Sequence, residues 1–280
     1  MPLLLAGCGT AEPGPPARPA MWLVQDDDTR IYLLGTMHAL PRGTDWNAGK
    51  VAGAIEAADE LMMELSPAQL AGSGDEFRKL APRRTPLAIK ARLSGAALSG
   101  YRTLETSGSA FGGDRLDDWA VVVLMAQRAA RNADLVPAAG VEAGLTTLFE
   151  TADKPIAGLE TAREQLMLFE TLDAVTQRTL LTRAAAGAGD AVRDVTALTA
   201  AWARGDVAAL ETMITEDIDA VPAARKAIVT DRNRRWSVWV ERRMKRPGTV
   251  LMAVGTGHLV GTDGVPAMLA AEGLRVTRVQ

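Results

Sequence analysis

The sequence predicts an α/β fold: a central mixed β-sheet with flanking helices, a helical insertion and two roughly matched halves, in one domain. Three observations carry this. Short apolar runs alternate with longer stretches of helical periodicity, two of those runs end in the same Gly-Thr-x-His tetrapeptide, and most of the chain between them has helical patterning. With 280 residues, of which 48% are hydrophobic and 23% charged, the chain can bury one large core.

The elements follow in order. The run from Gly9 to Ala20 is rich in Gly, Pro and Ala and cannot pack a core, so residues 1–20 are expected to be a leader and flexible tether and residues 21–280 the folded domain. Met21-Val24 and Ile31-Leu34, separated by Asp26-Asp27-Asp28, predict a hairpin. Val51, Ala54, Ile55 and Ala58 recur at helical spacing, and Leu61-Leu65 then predicts a buried strand, which makes a β-α-β start. Ser66-Pro67-Ala68-Gln69 joins a cap residue to a proline at the first helical position, so a helix opens at once after that strand. From about Gln69 to Asp134 the pattern is mainly helical, with Trp119, Val122, Val123 and Ala126 on one side of a helix over 117–131. Asp134-Pro137 and Pro155-Leu159 are two further strand candidates around a helix over 142–152, and Thr161-Ala162-Arg163-Glu164 is a second capping box. From Glu164 to Met244 the chain is helical apart from breaks at Gly187-Gly189 and Gly205-Asp206. Pro247-Gly248 then stops it, Val250-Val254 predicts a buried strand, Pro266 to Ala271 a helix and Leu274-Val279 a closing strand.

Charge and cysteine usage narrow the function. A net charge of −3 offers no basic surplus for phosphates, so nucleic acid is not an expected partner. The single cysteine, Cys8, can form neither an internal disulfide nor a thiolate cage, and any metal must be held by His and carboxylate. Leu5-Ala6-Gly7-Cys8 fits a lipobox, which predicts export, acylation of Cys8 and anchoring at the membrane facing the periplasm. Only seven residues precede Cys8, so either the start lies upstream of Met1 or the match is accidental. Of the six tryptophans, Trp119, Trp202, Trp236 and Trp239 fall on apolar helix faces and are read as core.

The chemistry rests on the only two histidines. Gly35-Thr36-Met37-His38 and Gly255-Thr256-Gly257-His258 both follow an apolar strand, and with six Gly-Thr pairs in the chain a chance match of both histidines has odds of about one in two thousand. Open α/β sheets gather ligands beyond the carboxyl ends of their strands, so the two imidazoles are expected to meet there and hold a divalent metal, with Thr36 and Thr256 in support. A hydrolytic metal site needs a third protein ligand. Glu64, in a buried strand, is the leading candidate and Glu160, ahead of a helix start, the second; one would bind metal while the other serves as general base, with the roles left open. Zinc, manganese, cobalt and iron all suit this donor set. Arg232 and Asn233 are candidates for contact with substrate carboxylate or for orienting the ligands, with a solvated helix face the alternative.

These segments together resemble the TraB/GumN family: Tyr32-Leu33-Leu34-Gly35-Thr36-Met37-His38, Glu64-Leu65-Ser66-Pro67, Gly158-Leu159-Glu160-Thr161 with Glu164-Gln165, Trp202 with Gly205-Asp206, Arg232-Asn233, and Val254-Gly255-Thr256-Gly257-His258. The family is similar to the Tiki proteases, metal-dependent enzymes that trim an N-terminal peptide from Wnt proteins, and more distantly to erythromycin esterases and a haem-binding lipoprotein group. The resemblance implies metal held by His38, His258 and Glu64 and a peptidase-like hydrolase of the cell envelope, acting on a peptide or small molecule. Relatives carry Asp in a Gly-hydrophobic-Asp motif where this chain has Gly140-Val141-Glu142, so Glu142 is a secondary candidate. The alternatives are a non-catalytic iron- or haem-binding envelope lipoprotein and an inactive interaction module.

Overall fold

The computed structural model describes residues 16–280. The strands β1 (Met21–Gln25), β2 (Thr29–Thr36), β3 (Glu60–Leu65), β4 (Ile156–Glu160), β5 (Gly248–Gly255) and β6 (Val276–Arg278) form one sheet in the order β4-β3-β5-β2-β1-β6. The four strands from β4 to β2 are mutually parallel; β1 and β6 extend the sheet by antiparallel pairing. This is the mixed α/β architecture expected.

Local chemistry explains most elements. Asp26 closes the β1–β2 hairpin by accepting the Asp28 and Thr29 amides at 3.2 and 2.9 Å. Ser66 caps the helix Pro67–Leu80, and Thr161 with Glu164 forms a reciprocal capping box on the helix Ala162–Glu170. In β5, Val250, Met252 and Val254 pack on one face of the sheet and Leu251 and Ala253 on the other, which is why the strand is apolar without alternation. One face carries Trp22, Ile31, Leu33, Trp236 and Val240; the other carries Leu34, Val51, Leu61, Met63, Phe149 and Trp202. The helical insertion has a core of its own, in which Tyr101, Leu104, Val121, Met125 and Leu181 meet. Asp118 pins it by accepting from Arg92 at 2.7 Å and Arg178 at 2.6 Å.

Three expectations are revised. Asp134-Pro137 is no strand: Val136 makes a single bridge with Leu40 and the chain turns into a short 3-10 helix, Pro137–Ala139, where the proline has no N–H to continue a ladder. The closing strand is shorter than 274–279, because Leu274 still bonds back to Leu269 at the helix end. Residues 16–20, assigned with the tether, join the fold: the Ala17 amide donates to Asp45, the Arg18 amide donates to Ala203, and Ala17 and Ala20 are buried. Small side chains let this backbone lie close against the sheet end. The Cys8 lipobox lies outside the described residues.

Candidate functional site

Four neighbouring parallel strands deliver one candidate residue each to the same end of the sheet. Glu64 and Glu160 occupy the carboxyl ends of β3 and β4, His38 follows β2 by two residues, and His258 ends the short turn Thr256–His258 after β5. Thr36 pairs with Gly255 and Leu65 with Glu160, so the strand ends are level. The Thr256 hydroxyl donates to the Thr36 carbonyl at 3.1 Å and ties the two Gly-Thr-x-His turns together. Two glycines stand at close approaches, Gly140 the tighter. A Cβ on Gly255 would come within 3.1 Å of the Glu64 carboxylate, which accepts the Gly255 amide at 2.7 Å, and a Cβ on Gly140 would stand 2.2 Å from the His38 carbonyl oxygen.

His258 is buried and its tautomer follows from its partners. Arg232 can only donate, so Nε2, 2.8 Å from the guanidinium, accepts, and the proton sits on Nδ1, facing Asn233 Oδ1 at 2.7 Å. Asn233 is itself oriented by donating to the Asp263 carbonyl at 2.7 Å. Burial pushes the His258 pKa down to about 4, against the pull of the Glu64 charge, so the ring is neutral. Trp236 covers it, with ring centroids 4.6 Å apart.

His38 has the opposite setting. Its side chain is 73% exposed, and its Nδ1 lies 2.8 Å from Glu142 Oε1, which also accepts the Thr36 hydroxyl at 2.5 Å. The Glu142 carboxylate raises the imidazole pKa above its usual value, an effect that water around the exposed ring screens in part. Glu142 Oε2 is buried without a partner among the described residues. Both histidines are thus held through Nδ1 by a side-chain oxygen, which frees Nε2 of His38 and fixes the lone pair of His258 on Nε2. They share one electrostatic neighbourhood: charge on His38 depresses the His258 pKa, and both rings favour ionised Glu64.

The centre of the cluster is a cation from the chain itself. Arg232, buried on the helix Asp231–Arg243, donates Nη2 to Glu64 at 2.6 Å and to Glu160 at 2.9 Å, and stacks 4.6 Å over Trp236. Its Nε adds contacts to both Glu160 oxygens at 3.1 Å, where Arg235 also donates at 3.1 Å. Burial alone would raise the Glu64 pKa, but Arg232, the two imidazoles and the Gly255 amide outweigh it and bring it to about 2. A π-helical turn, Lys226–Thr230, immediately precedes this helix, and Arg232 Nη1 also reaches the Ile228 carbonyl at 3.3 Å. Such bulges often re-aim side chains at functional sites.

The arrangement therefore brings together Thr36, His38, Glu64, Glu142, Glu160, Arg232, Asn233, Thr256 and His258. As they stand, no three His, Cys, Asp or Glu side chains among the described residues form a metal-holding group. The donor types fit a divalent ion nonetheless, since two imidazoles fixed from behind by oxygen and a carboxylate are what such an ion takes. The Glu64 and His258 lone pairs are engaged by Arg232 in this arrangement. Sequence reasoning quoted Gln165 only within a family-like segment and gave no site role to it, to Arg235 or to Trp236; the Gln165 amide donates to Glu64 at 2.9 Å. A signal existed for the last two: with Arg232 they stand at i, i+3 and i+4, one face of a helix.

The model described as the TraB/PrgY/gumN family matches residues 20–278. No curated protein and no solved structure matches the chain.

Proposed function

The chain belongs to the TraB/PrgY/gumN family, and from that premise we propose that it is a peptidase-like hydrolase of the cell envelope, anchored through an acylated Cys8. The observation that carries the reading is the placement of two imidazoles, each oriented by a side-chain oxygen, after adjacent strands whose parallel neighbours end in buried carboxylates. Purely structural histidines have no need of matched orienters at adjacent strand ends.

His38, His258 and Glu64 would hold a divalent ion once Arg232 gives up the His258 and Glu64 lone pairs that it engages. When bound, such an ion supplies Lewis acidity, lowering the pKa of water and polarising a carbonyl. The chain's own groups do the rest. Glu142, 2.8 Å from His38 Nδ1, orients the ring so that its Nε2 faces outward. Of the two further carboxylates, Glu142 is the one with an oxygen open to a proton, because its Oε2 has no partner among the described residues whereas both Glu160 oxygens accept from arginines. Arg232, retained by Glu160, would offer a donor to an oxyanion on the substrate once it gives up His258 and Glu64.

Elemental analysis of the protein from residue 16 onward, beside His38→Ala and His258→Ala, tests the reading. About one equivalent of metal in the parent and none in the variants is expected, with a rise in Tm when Mn²⁺, Zn²⁺, Co²⁺ or Fe²⁺ is returned after chelation. A metal-free protein whose Tm ignores all four ions overturns it. A Soret band on adding haemin that disappears in either histidine variant would move the assignment to a haem-binding envelope protein.

A further inference from the structure

A groove of about 670 Å³ lies between the helices Ala162–Glu170 and Asp231–Arg243. It is continuous with the strand-end cluster. Glu160, which receives Arg232, and Trp236, which packs on both Arg232 and His258, belong to its lining. Met167 and Leu168 from one helix and Val238 and Trp239 from the other give it an apolar floor, and Val238 is 38% exposed. Trp236 adds a buried indole N–H that has no acceptor among the described residues.

The charges along this groove are unbalanced. Three arginines, Arg163, Arg235 and Arg242, face two carboxylates, Glu160 and Glu164. Glu160 is taken by Arg232 and Arg235, and Glu164 by the Thr161 backbone and hydroxyl in the capping box. Arg163 pairs with Glu76 at 3.2 Å, whereas Arg242, exposed at the groove, has no acidic partner among the described residues. An apolar floor with an unneutralised guanidinium suits a ligand that is apolar in body and anionic at one end, because guanidinium pairs a carboxylate through two donors in one plane.

We propose that this groove is the substrate-recognition site, and that it takes an apolar residue carrying a free carboxylate, such as the C-terminal residue of a short peptide. The assignment rests on the hydrolase reading for its catalytic meaning; the groove's ligand preference can be measured without turnover. Ligand bound here by its apolar end reaches the cluster at Glu160 and Trp236, so the groove sets which bond is presented to the strand ends.

Fluorescence titration of the protein with dansyl-leucine and with dansyl-leucinamide tests this, since the two probes differ only in carboxylate against carboxamide. Dansyl-leucine should bind about tenfold or more tightly than the amide. Arg242→Glu should abolish that preference, and Val238→Asp should weaken both probes by about tenfold. Both positions are exposed, so the variants are expected to fold, which circular dichroism checks; Arg242→Gln should give an intermediate preference. Equal binding of the two probes by the parent, or a preference untouched by Arg242→Glu, overturns the proposal. The two readings fail separately: a protein that prefers dansyl-leucine but cleaves no peptide sinks the hydrolase, and one that cleaves peptides without discriminating the probes sinks the groove.

Discussion

Replacing Arg232 with methionine should destabilise the protein strongly at neutral pH, and the loss should shrink as the pH falls. The side chains of Arg232, Glu64 and Glu160 are 5%, 9% and 5% exposed, so the guanidinium is the main compensation for two carboxylates taken out of water. Methionine fills similar volume and leaves both carboxylates without it, together with a His258 Nε2 that has lost its donor. Removing one partner of a buried ion pair costs about 3–5 kcal/mol, and two carboxylates sharing the guanidinium put this case toward the upper end. In the parent, Glu64 has a folded pKa of about 2 against 4.5 unfolded, so its stabilising effect is present above about pH 4.5 and lost as the pH falls toward 2. In the variant, burial is no longer opposed by Arg232 and the folded pKa rises above the unfolded one. Its penalty is then largest at neutral pH and relieved by protonation. Urea unfolding of both proteins at about pH 7 and about pH 5 measures the two gaps. A gap below about 1 kcal/mol at neutral pH, or one of equal size at both, would refute the account of Arg232 as the charge that holds the cluster together.

Further predictions follow from the same geometry. His258, with a folded pKa of about 4 against 6.5 unfolded, should withdraw up to about 3 kcal/mol of stability as the pH falls from 6.5 toward 4, because the unfolded chain takes the proton first; His258→Asn should flatten the stability profile across that interval, measured by chemical denaturation. Gly140→Ala, whose new Cβ would meet the His38 carbonyl at 2.2 Å, should cost about 1–3 kcal/mol and displace His38, visible as a changed imidazole resonance by NMR; an unchanged resonance would show that the turn yields instead. Asp118→Asn should leave Arg92, whose side chain is fully buried, without its ion pair, and should lower protection from hydrogen exchange in the helical insertion by about 3 kcal/mol while the sheet keeps most of its own.

Much of this molecule is determined locally and is legible in the sequence. The hairpin turn at Asp26 and the caps at Ser66 and Thr161 depend on side chains acting within a few residues of themselves, and the breaks at Gly187-Gly189 and Gly205-Asp206 on the low helix propensity of glycine. The unbroken apolar run of β5 announced a strand covered on both faces, and the repeated Gly-Thr-x-His announced two equivalent strand ends. What sequence could not determine is strand order. β5, near the end of the chain, enters between β2 and β3, and only that insertion sets Thr36 beside Gly255 and lets Glu64 reach the Gly255 amide. Nor could spacing tell that Arg232 would stand among Glu64, Glu160 and His258, because a guanidinium finds its partners through contacts between residues as far as 168 positions apart. Local rules follow from backbone sterics and short-range hydrogen bonds, whereas the position of a buried charge is decided by the desolvation it must offset, and that exists only once the whole sheet has closed around it.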